Sequence, residues 1–325
     1  MGYALNIVLL DSEPALGFST TAEGEDLELH ELEALGPVTK YRRTAPDQVI
    51  ERAREADVLV INKIRLTDAE FAALPRLRLV SITATGTDNV DVEAAKARGV
   101  VVSNVPAYGT DSTAQHAFAL LLELTNQVGL HAEDVRKGSW SRAPSFAYAL
   151  RPLVELSGRT LGVVGYGAIG RRVAAIAEAF GMSVLIHSRT PVPQDPRFVT
   201  KRELLERSDV VSLHLPLTAE TKDFIDAEAL AQMKPGSYLI NVARGGLLDE
   251  RAVRAALDSG HLGGLGADVL SQEPPRPDHP LLTAPRTLLT PHIAWATRAA
   301  RARLLAQTVQ NIRAFAEGTP RNVVG

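Results

Sequence analysis

The segment Gly165-Tyr166-Gly167-Ala168-Ile169-Gly170 follows the apolar run 161–164 and opens a stretch with helical periodicity. In that strand–turn–helix order the spacing suits a phosphate cradle. The first glycine allows a tight turn, the second lets a pyrophosphate reach backbone N–H groups, and the third lets helix and strand pack closely. A structural glycine turn is the alternative. The next apolar run, 182–186, ends in His187-Ser188-Arg189-Thr190, and no Asp or Glu occurs between positions 179 and 193. An acid there would bind the adenosine ribose and repel a 2′-phosphate. Arg189 attracts such a phosphate and Ser188 can donate to it. The pattern therefore predicts a dinucleotide site preferring NADPH/NADP+, with NADH/NAD+ still usable; otherwise Arg189 is a solvated charge without influence on selectivity.

Three later segments carry further reactive side chains: Asn241-Val242-Ala243-Arg244-Gly245-Gly246, Gly266-Ala267-Asp268-Val269-Leu270-Ser271-Gln272-Glu273-Pro274, and Thr290-Pro291-His292-Ile293-Ala294-Trp295-Ala296-Thr297. Each follows a strand-like run. Ligands of open parallel sheets collect beyond the carboxyl ends of the strands, so Arg244, Glu273 and His292 can converge on a nicotinamide.

Together with Ala84-Thr85-Gly86-Thr87-Asp88-Asn89-Val90-Asp91, Asn104-Val105-Pro106 and Leu215-Pro216-Leu217-Thr218, these motifs resemble the D-2-hydroxyacid dehydrogenase family over nearly the whole chain. Ala84-Thr85-Gly86 and His292-Ile293-Ala294-Trp295 look most like its hydroxypyruvate/glyoxylate reductase and glycerate dehydrogenase members. The resemblance implies reduction of a small 2-ketoacid, glyoxylate or hydroxypyruvate first, to the 2-hydroxyacid, with D stereochemistry for chiral products. It implies an active site in a cleft between two domains, and a homodimer, with segment 140–152 as a candidate contact. By the same resemblance Arg244 holds the substrate carboxylate and polarises its carbonyl, His292 is the acid/base, and Glu273 is its carboxylate partner. Thr85 and Gly86 offer N–H groups to the substrate. The cofactor would meet Gly165, Tyr166, Gly167, Ala168, Ile169, Gly170, Ser188, Arg189, Thr190, Leu215, Pro216, Thr221, Val242, Ala243, Asp268 and His292.

These roles agree with the chemistry of the side chains. Hydride addition leaves negative charge on the former carbonyl oxygen, which a histidinium can neutralise by giving its proton. A carboxylate beside the ring favours that charged form. A planar guanidinium binds a carboxylate and faces the developing alkoxide. Lys63 is either a further substrate contact or a surface lysine, and Trp295 either closes a small pocket or packs between domains. Two features depart from the family: the Ser188-Arg189 pair, and Ala114-Gln115-His116 where some members carry an acid in the middle. Rival readings are phosphoglycerate, D-lactate-type, formate or phosphite dehydrogenation, or a non-catalytic nucleotide-sensing interaction protein. Retention of Arg244, Glu273 and His292 together disfavours the last.

The elements that must position these residues alternate. Short apolar runs at 6–10, 58–61, 79–83 and 100–102 are separated by helical patterns, and a second series runs at 160–165, 183–187, 210–215, 237–242, 263–268 and near 288. This predicts an α/β protein of two doubly wound parallel-sheet domains, a Rossmann-type cofactor domain (105–297) inserted into a flavodoxin-like substrate domain (1–104, completed by 298–325). Helices are expected at 91–98, 111–126, 169–180, 203–206, 250–257 and 302–316, with capping boxes at Thr67/Glu70 and Thr200/Glu203. The balance of 35 basic and 38 acidic residues, without a basic stripe, argues against nucleic acid as partner. The absence of cysteine excludes disulfides and thiolate chemistry, and the eight histidines form no metal-binding spacing. No apolar run reaches the roughly 20 residues of a membrane span, and a cytoplasmic protein is expected.

Overall fold

The computed structural model describes residues 5–16 and 27–325. The chain forms two compact units, Met1–Gly109 with Trp295–Gly325, and Thr110–Ala294.

The first unit runs β1 (Ile7–Leu9), α1 (Ser12–Ala15), α2 (His30–Glu33), β2 (Val38–Lys40), α3 (Val49–Ala53), β3 (Val58–Ile61), α4 (Asp68–Ala73), β4 (Leu79–Ile82), α5 (Val92–Ala97) and β5 (Val101–Ser103). Its five strands are parallel in the order β2-β1-β3-β4-β5. Because side chains alternate across a strand, the apolar runs serve both faces. Ile7, Leu9, Val58, Val60 and Leu79 pack to one side, and Val8, Leu59, Ile61, Val80 and Ile82 to the other. Helix α4 starts at a capping box in which Thr67 N–H donates to Glu70 Oε2 at 2.7 Å. Helix α5 is capped by Asp91, which accepts the Ala94 N–H.

The second unit runs α6 (Thr110–Asn126), α7 (Val128–Arg136), β6 (Thr160–Val164), α8 (Ala168–Ala179), β7 (Ser183–His187), α9 (Lys201–Arg207), β8 (Val210–Leu213), α10 (Ala227–Gln232), β9 (Ser237–Asn241), α11 (Glu250–Asp258), β10 (Leu262–Ala267) and β11 (Thr287–Leu289). The strands are parallel in the order β11-β10-β9-β8-β6-β7. Helices α6 and α8 cover one face over Leu161, Val163, Ile186 and Ile240. Helices α9, α10 and α11 cover the other over Leu185, Val211, Leu213 and Leu239. The last helix, α12 (Arg298–Ala316), packs Ala300, Leu304, Val309 and Ile312 into the first unit's core.

The unit boundaries fall at 109/110 and 294/295, where the sequence suggested 104/105 and 297/298. Local bonds account for the shift. Val105 N–H donates to Ala84 O at 3.0 Å, Arg303 Nε to Tyr108 O at 3.0 Å and Asn311 Nδ2 to Asn104 O at 2.9 Å, so the loop before α6 is tied to the first unit. The Trp295 ring meets Tyr108 edge-on at 6.2 Å. Helices α7 and α10 were not anticipated. Among the described residues no helix is long and apolar enough to cross a membrane, and no group of three or more His, Asp or Glu side chains is placed to hold a metal.

Candidate active site

Strand order reverses between β6 and β8, the neighbouring strands from which the chain proceeds in opposite directions across the second sheet. At such a switch point the carboxyl ends of the strands leave a crevice for a ligand. Gly165, one residue past β6, has φ 91°, and a Cβ there would lie 2.5 Å from His214 O. A Cβ on Gly170 would lie 2.1 Å from Gly165 O, so helix and turn are in backbone contact. Gly167 differs. It is the N-cap of α8, makes no side-chain cap, and a Cβ there meets nothing within 4 Å. One glycine thus allows the turn, one the close packing, and the middle one an open approach to unfilled helix N–H groups, which fits a pyrophosphate. Ala168 is exposed and Ile169 is half-buried against the core. The Tyr166 ring lies under Arg171 at 4.4 Å and edge-on to Phe198.

Beyond β7, Ser188 Oγ accepts the Thr190 N–H at 3.3 Å, and Arg189 is exposed and forms no ion pair with any described residue. The flanking acids Glu178 and Asp195 are both engaged by Arg197, whose hydrogen bonds hold the Asp195 carboxyl below its usual range. Beyond β8, Leu215 and Pro216 enter a loop braced by Thr221, whose hydroxyl donates to Pro216 O and accepts the Thr218 N–H, both at 2.7 Å. Burial pushes the imidazole of His214 down to about 3, keeping it neutral beside this loop.

The reactive side chains of this unit sit on three adjoining loops. After β9, the fully buried Asn241 shapes the first: its Nδ2 donates to Arg244 O at 2.9 Å and its Oδ1 accepts the Ala243 N–H at 3.1 Å. Val242 is buried in the core, and Arg244, half-buried, donates from Nη1 to Ala243 O at 2.8 Å. After β10 comes Asp268, 1% exposed. Its Oδ1 accepts the Thr290 hydroxyl at 2.6 Å and the Ile293 N–H at 2.8 Å, while Oδ2 accepts the Ala294 N–H at 2.7 Å. The backbone O of Asp268 accepts the His292 N–H at 2.9 Å. Asp268 therefore holds the loop after β11 on which His292 stands, at a left-handed φ of 56°. His292 Nδ1 meets Glu273 Oε2 at 2.6 Å. In that bond Nδ1–H donates to the carboxylate, which leaves Nε2 as the nitrogen able to exchange a proton with a ligand. His116, read from sequence as packing, reaches Thr290 Oγ1 at 2.8 Å from α6.

The remaining candidates belong to the first unit. Asp11, just past β1, accepts the N–H groups of Asn62, Lys63 and Ile64 at 2.7, 2.5 and 3.2 Å, and burial pushes its carboxyl up to about 6. The Lys63 side chain is exposed. Thr85 donates its hydroxyl to Val105 O at 3.0 Å and its carbonyl accepts from Asn104 Nδ2 at 2.7 Å, which fixes the turn into Gly86. Trp295 packs partly into this unit's core beside Tyr108. Sequence reasoning passed over Asn241, Asp11, Glu250 and His279. A polar residue at the carboxyl end of a buried apolar run is the signal for the first two; the last pair left none.

Residues 118–294 match the family model for the D-isomer specific 2-hydroxyacid dehydrogenase, NAD binding domain. The chain is 41% identical over 306 residues to a hydroxypyruvate reductase of Blautia hydrogenotrophica, covering 92% of this chain and 95% of that one. It is 42% identical over 288 residues to a glycerate dehydrogenase of Methylorubrum extorquens, covering 88% and 91%. Among solved structures it is similar to the NADPH-dependent glyoxylate/hydroxypyruvate reductase of Sinorhizobium meliloti in complex with NADP and malonate, at 31% identity and a TM-score of 0.83 over 99% of this chain and 97% of that one. By the family model that it matches and by these identities over most of its length, the chain belongs to the D-isomer specific 2-hydroxyacid dehydrogenase family.

Proposed function

We propose that the protein reduces a small 2-ketoacid, glyoxylate or hydroxypyruvate, to the corresponding 2-hydroxyacid, with NADPH as the preferred reductant. The observation that carries this reading is the 2.6 Å contact of His292 Nδ1 with Glu273 Oε2 in the same unit as the glycine turn. The bound dinucleotide supplies the hydride. Glu273 orients the His292 ring, so that Nε2 gives a proton to the former carbonyl oxygen and takes it back in the oxidative direction. The Arg244 fork pairs with the substrate carboxylate and faces the growing oxygen charge. Lys63, Thr85, Gly86 and Trp295 would line the substrate side. Similarity to a hydroxypyruvate reductase, a glycerate dehydrogenase and a glyoxylate/hydroxypyruvate reductase supports the substrate class.

The cofactor preference rests on Arg189 and on the missing acid between positions 179 and 193. A homodimer is supported by the apolar side chains displayed at Val128, Trp140, Phe146 and Leu153, all more than half exposed in the single chain. Sedimentation checks that assembly, and cell fractionation a cytoplasmic location. The central experiment crosses glyoxylate and hydroxypyruvate with NADPH and NADH in wild type and in His292→Asn, chosen because asparagine tolerates the left-handed backbone. Wild type oxidises NADPH with the higher kcat/KM, and the variant loses about 10²- to 10⁴-fold in turnover while still binding NADPH. Wild-type turnover in the variant rejects the mechanism, absence of any reductase activity leaves a nucleotide-sensing protein, and a preference for NADH rejects the role of Arg189.

A further inference from the structure

Glu250 opens α11, where a carboxylate is already favoured by the helix N-terminus. The cap itself comes from Asp249, whose Oδ1 accepts the Arg251 and Ala252 N–H groups. The Glu250 side chain, 12% exposed, turns elsewhere. Its Oε1 accepts the Ser271 N–H at 2.8 Å, and its Oε2 accepts the Ser271 hydroxyl at 2.6 Å and meets His279 Nε2 at 3.0 Å. His279 is 8% exposed, and its Nδ1 accepts the Leu281 N–H at 3.3 Å. That acceptor bond places the ring proton on Nε2, aimed at Glu250. One turn further along α11, Arg254 donates to Pro280 O at 2.7 Å and Thr283 Oγ1 at 3.1 Å, so the turn carrying His279 is held to the same helix.

Ser271 lies two residues before Glu273. Leu270 N–H donates to Glu273 Oε1 at 3.0 Å, while Oε2 serves His292. On its other side the Leu270 carbonyl abuts Gly245, where a Cβ would sit 1.8 Å from the carbonyl carbon. The backbone that aims Glu273 is thus bounded by Gly245 and by Glu250. We propose that Glu250, oriented by His279, is a positioning residue: by holding both polar groups of Ser271 it fixes the Leu270 N–H that turns Glu273 toward His292. This rests on the proton-transfer role given above to His292.

The test uses the full-length protein with glyoxylate and NADPH. Glu250→Gln keeps the side-chain size and removes the charge. Its kcat falls about 10- to 100-fold, the loss expected from slight misplacement of a reacting group. The NADPH dissociation constant stays unchanged, and the strongly downfield proton of His292 Nδ1, assigned by its loss in His292→Asn, disappears from the NMR spectrum. Ser271→Ala, which retains the N–H, loses about 5-fold, the worth of one hydrogen bond. His279→Gln falls between the two. Should Glu250→Gln fail to fold, Ser271→Ala and His279→Gln decide by the same two readouts. Unchanged turnover, or lowered turnover with the His292 proton intact, overturns the proposal. Glu273→Gln separates the two readings: full turnover there refutes proton transfer through the pair, while the His292 proton still decides whether Glu250 aligns it.

Discussion

Asp11 and Asp268 occupy corresponding places in the two units. Each is a buried carboxylate just past a strand end, and each accepts hydrogen bonds from the loop of the neighbouring strand: Asn62 to Ile64 after β3 in one case, Thr290 to Ala294 after β11 in the other. The surroundings differ. Asp11 supports a loop that carries the exposed Lys63, whereas the loop on Asp268 carries a histidine that a second carboxylate also grips. A flexible cation can reach a charged ligand from a range of positions. A proton donor must sit within hydrogen-bond reach of one atom. The second unit adds Asn241, Glu273 and Glu250 around its loops, each bonding to backbone N–H or carbonyl groups.

The comparison breaks most sharply at Asp268. In Asp268→Asn the amide cannot accept at both positions, and kcat is expected to fall on the order of 10²-fold, together with about 2–3 kcal/mol of stability as charge-assisted hydrogen bonds are lost. Steady-state kinetics and urea unfolding check both, and full activity would mean that the loop keeps its place without the carboxylate.

A comparable energy, expressed only in the pH dependence, is expected at Asp11. Its carboxyl is raised by burial from 3.8 to about 6, so the folded state holds a proton that the unfolded chain has released. The associated stability is present below the unfolded value and is lost as pH rises through about 6, amounting to about 3 kcal/mol. Wild type should therefore lose most of that, about 2 kcal/mol, relative to Asp11→Asn between pH 4 and 7 in chemical denaturation. A constant difference across that range removes the contrast with Asp268.

The smallest effect concerns the two capping boxes. Thr200 Oγ1 accepts the Glu203 N–H at 3.2 Å, while Thr67 makes no such bond. Thr200→Ala should cost about 1 kcal/mol and Thr67→Ala less, read as shifts in the unfolding midpoint. Equal losses would show that the reciprocal glutamate bond carries both caps.

The strands were legible because both faces of a parallel sheet are buried, so they appear as short apolar runs; those at 58–61 and 183–187 match in extent. Helix α7 escaped notice for the opposite reason. It buries no residue within the chain, and Val128, Leu130 and Val135 remain exposed, so its pattern has no inward stripe. Edge strand β2 offers a single apolar residue among three. The candidates Arg244, Glu273 and His292 stood out in the sequence because each follows a strand within a dense local motif, and the structure brings Glu273 and His292 into contact. Glu250 and His279 stand 29 positions apart and are joined only by the packing of α11 against the turn at 280–283. Spacing along the chain contains no trace of that contact.

Gly245 gives the arrangement a gauge of its own. A single added methyl would overlap the Leu270 carbonyl carbon at 1.8 Å. Two neighbouring loops, one bearing a guanidinium and the other a carboxylate, are therefore separated by bare backbone thickness. Side chains on either loop can be exchanged, but bulk at this hydrogen-only position would act as a wedge, prising the Arg244 backbone away from the backbone that carries Glu273.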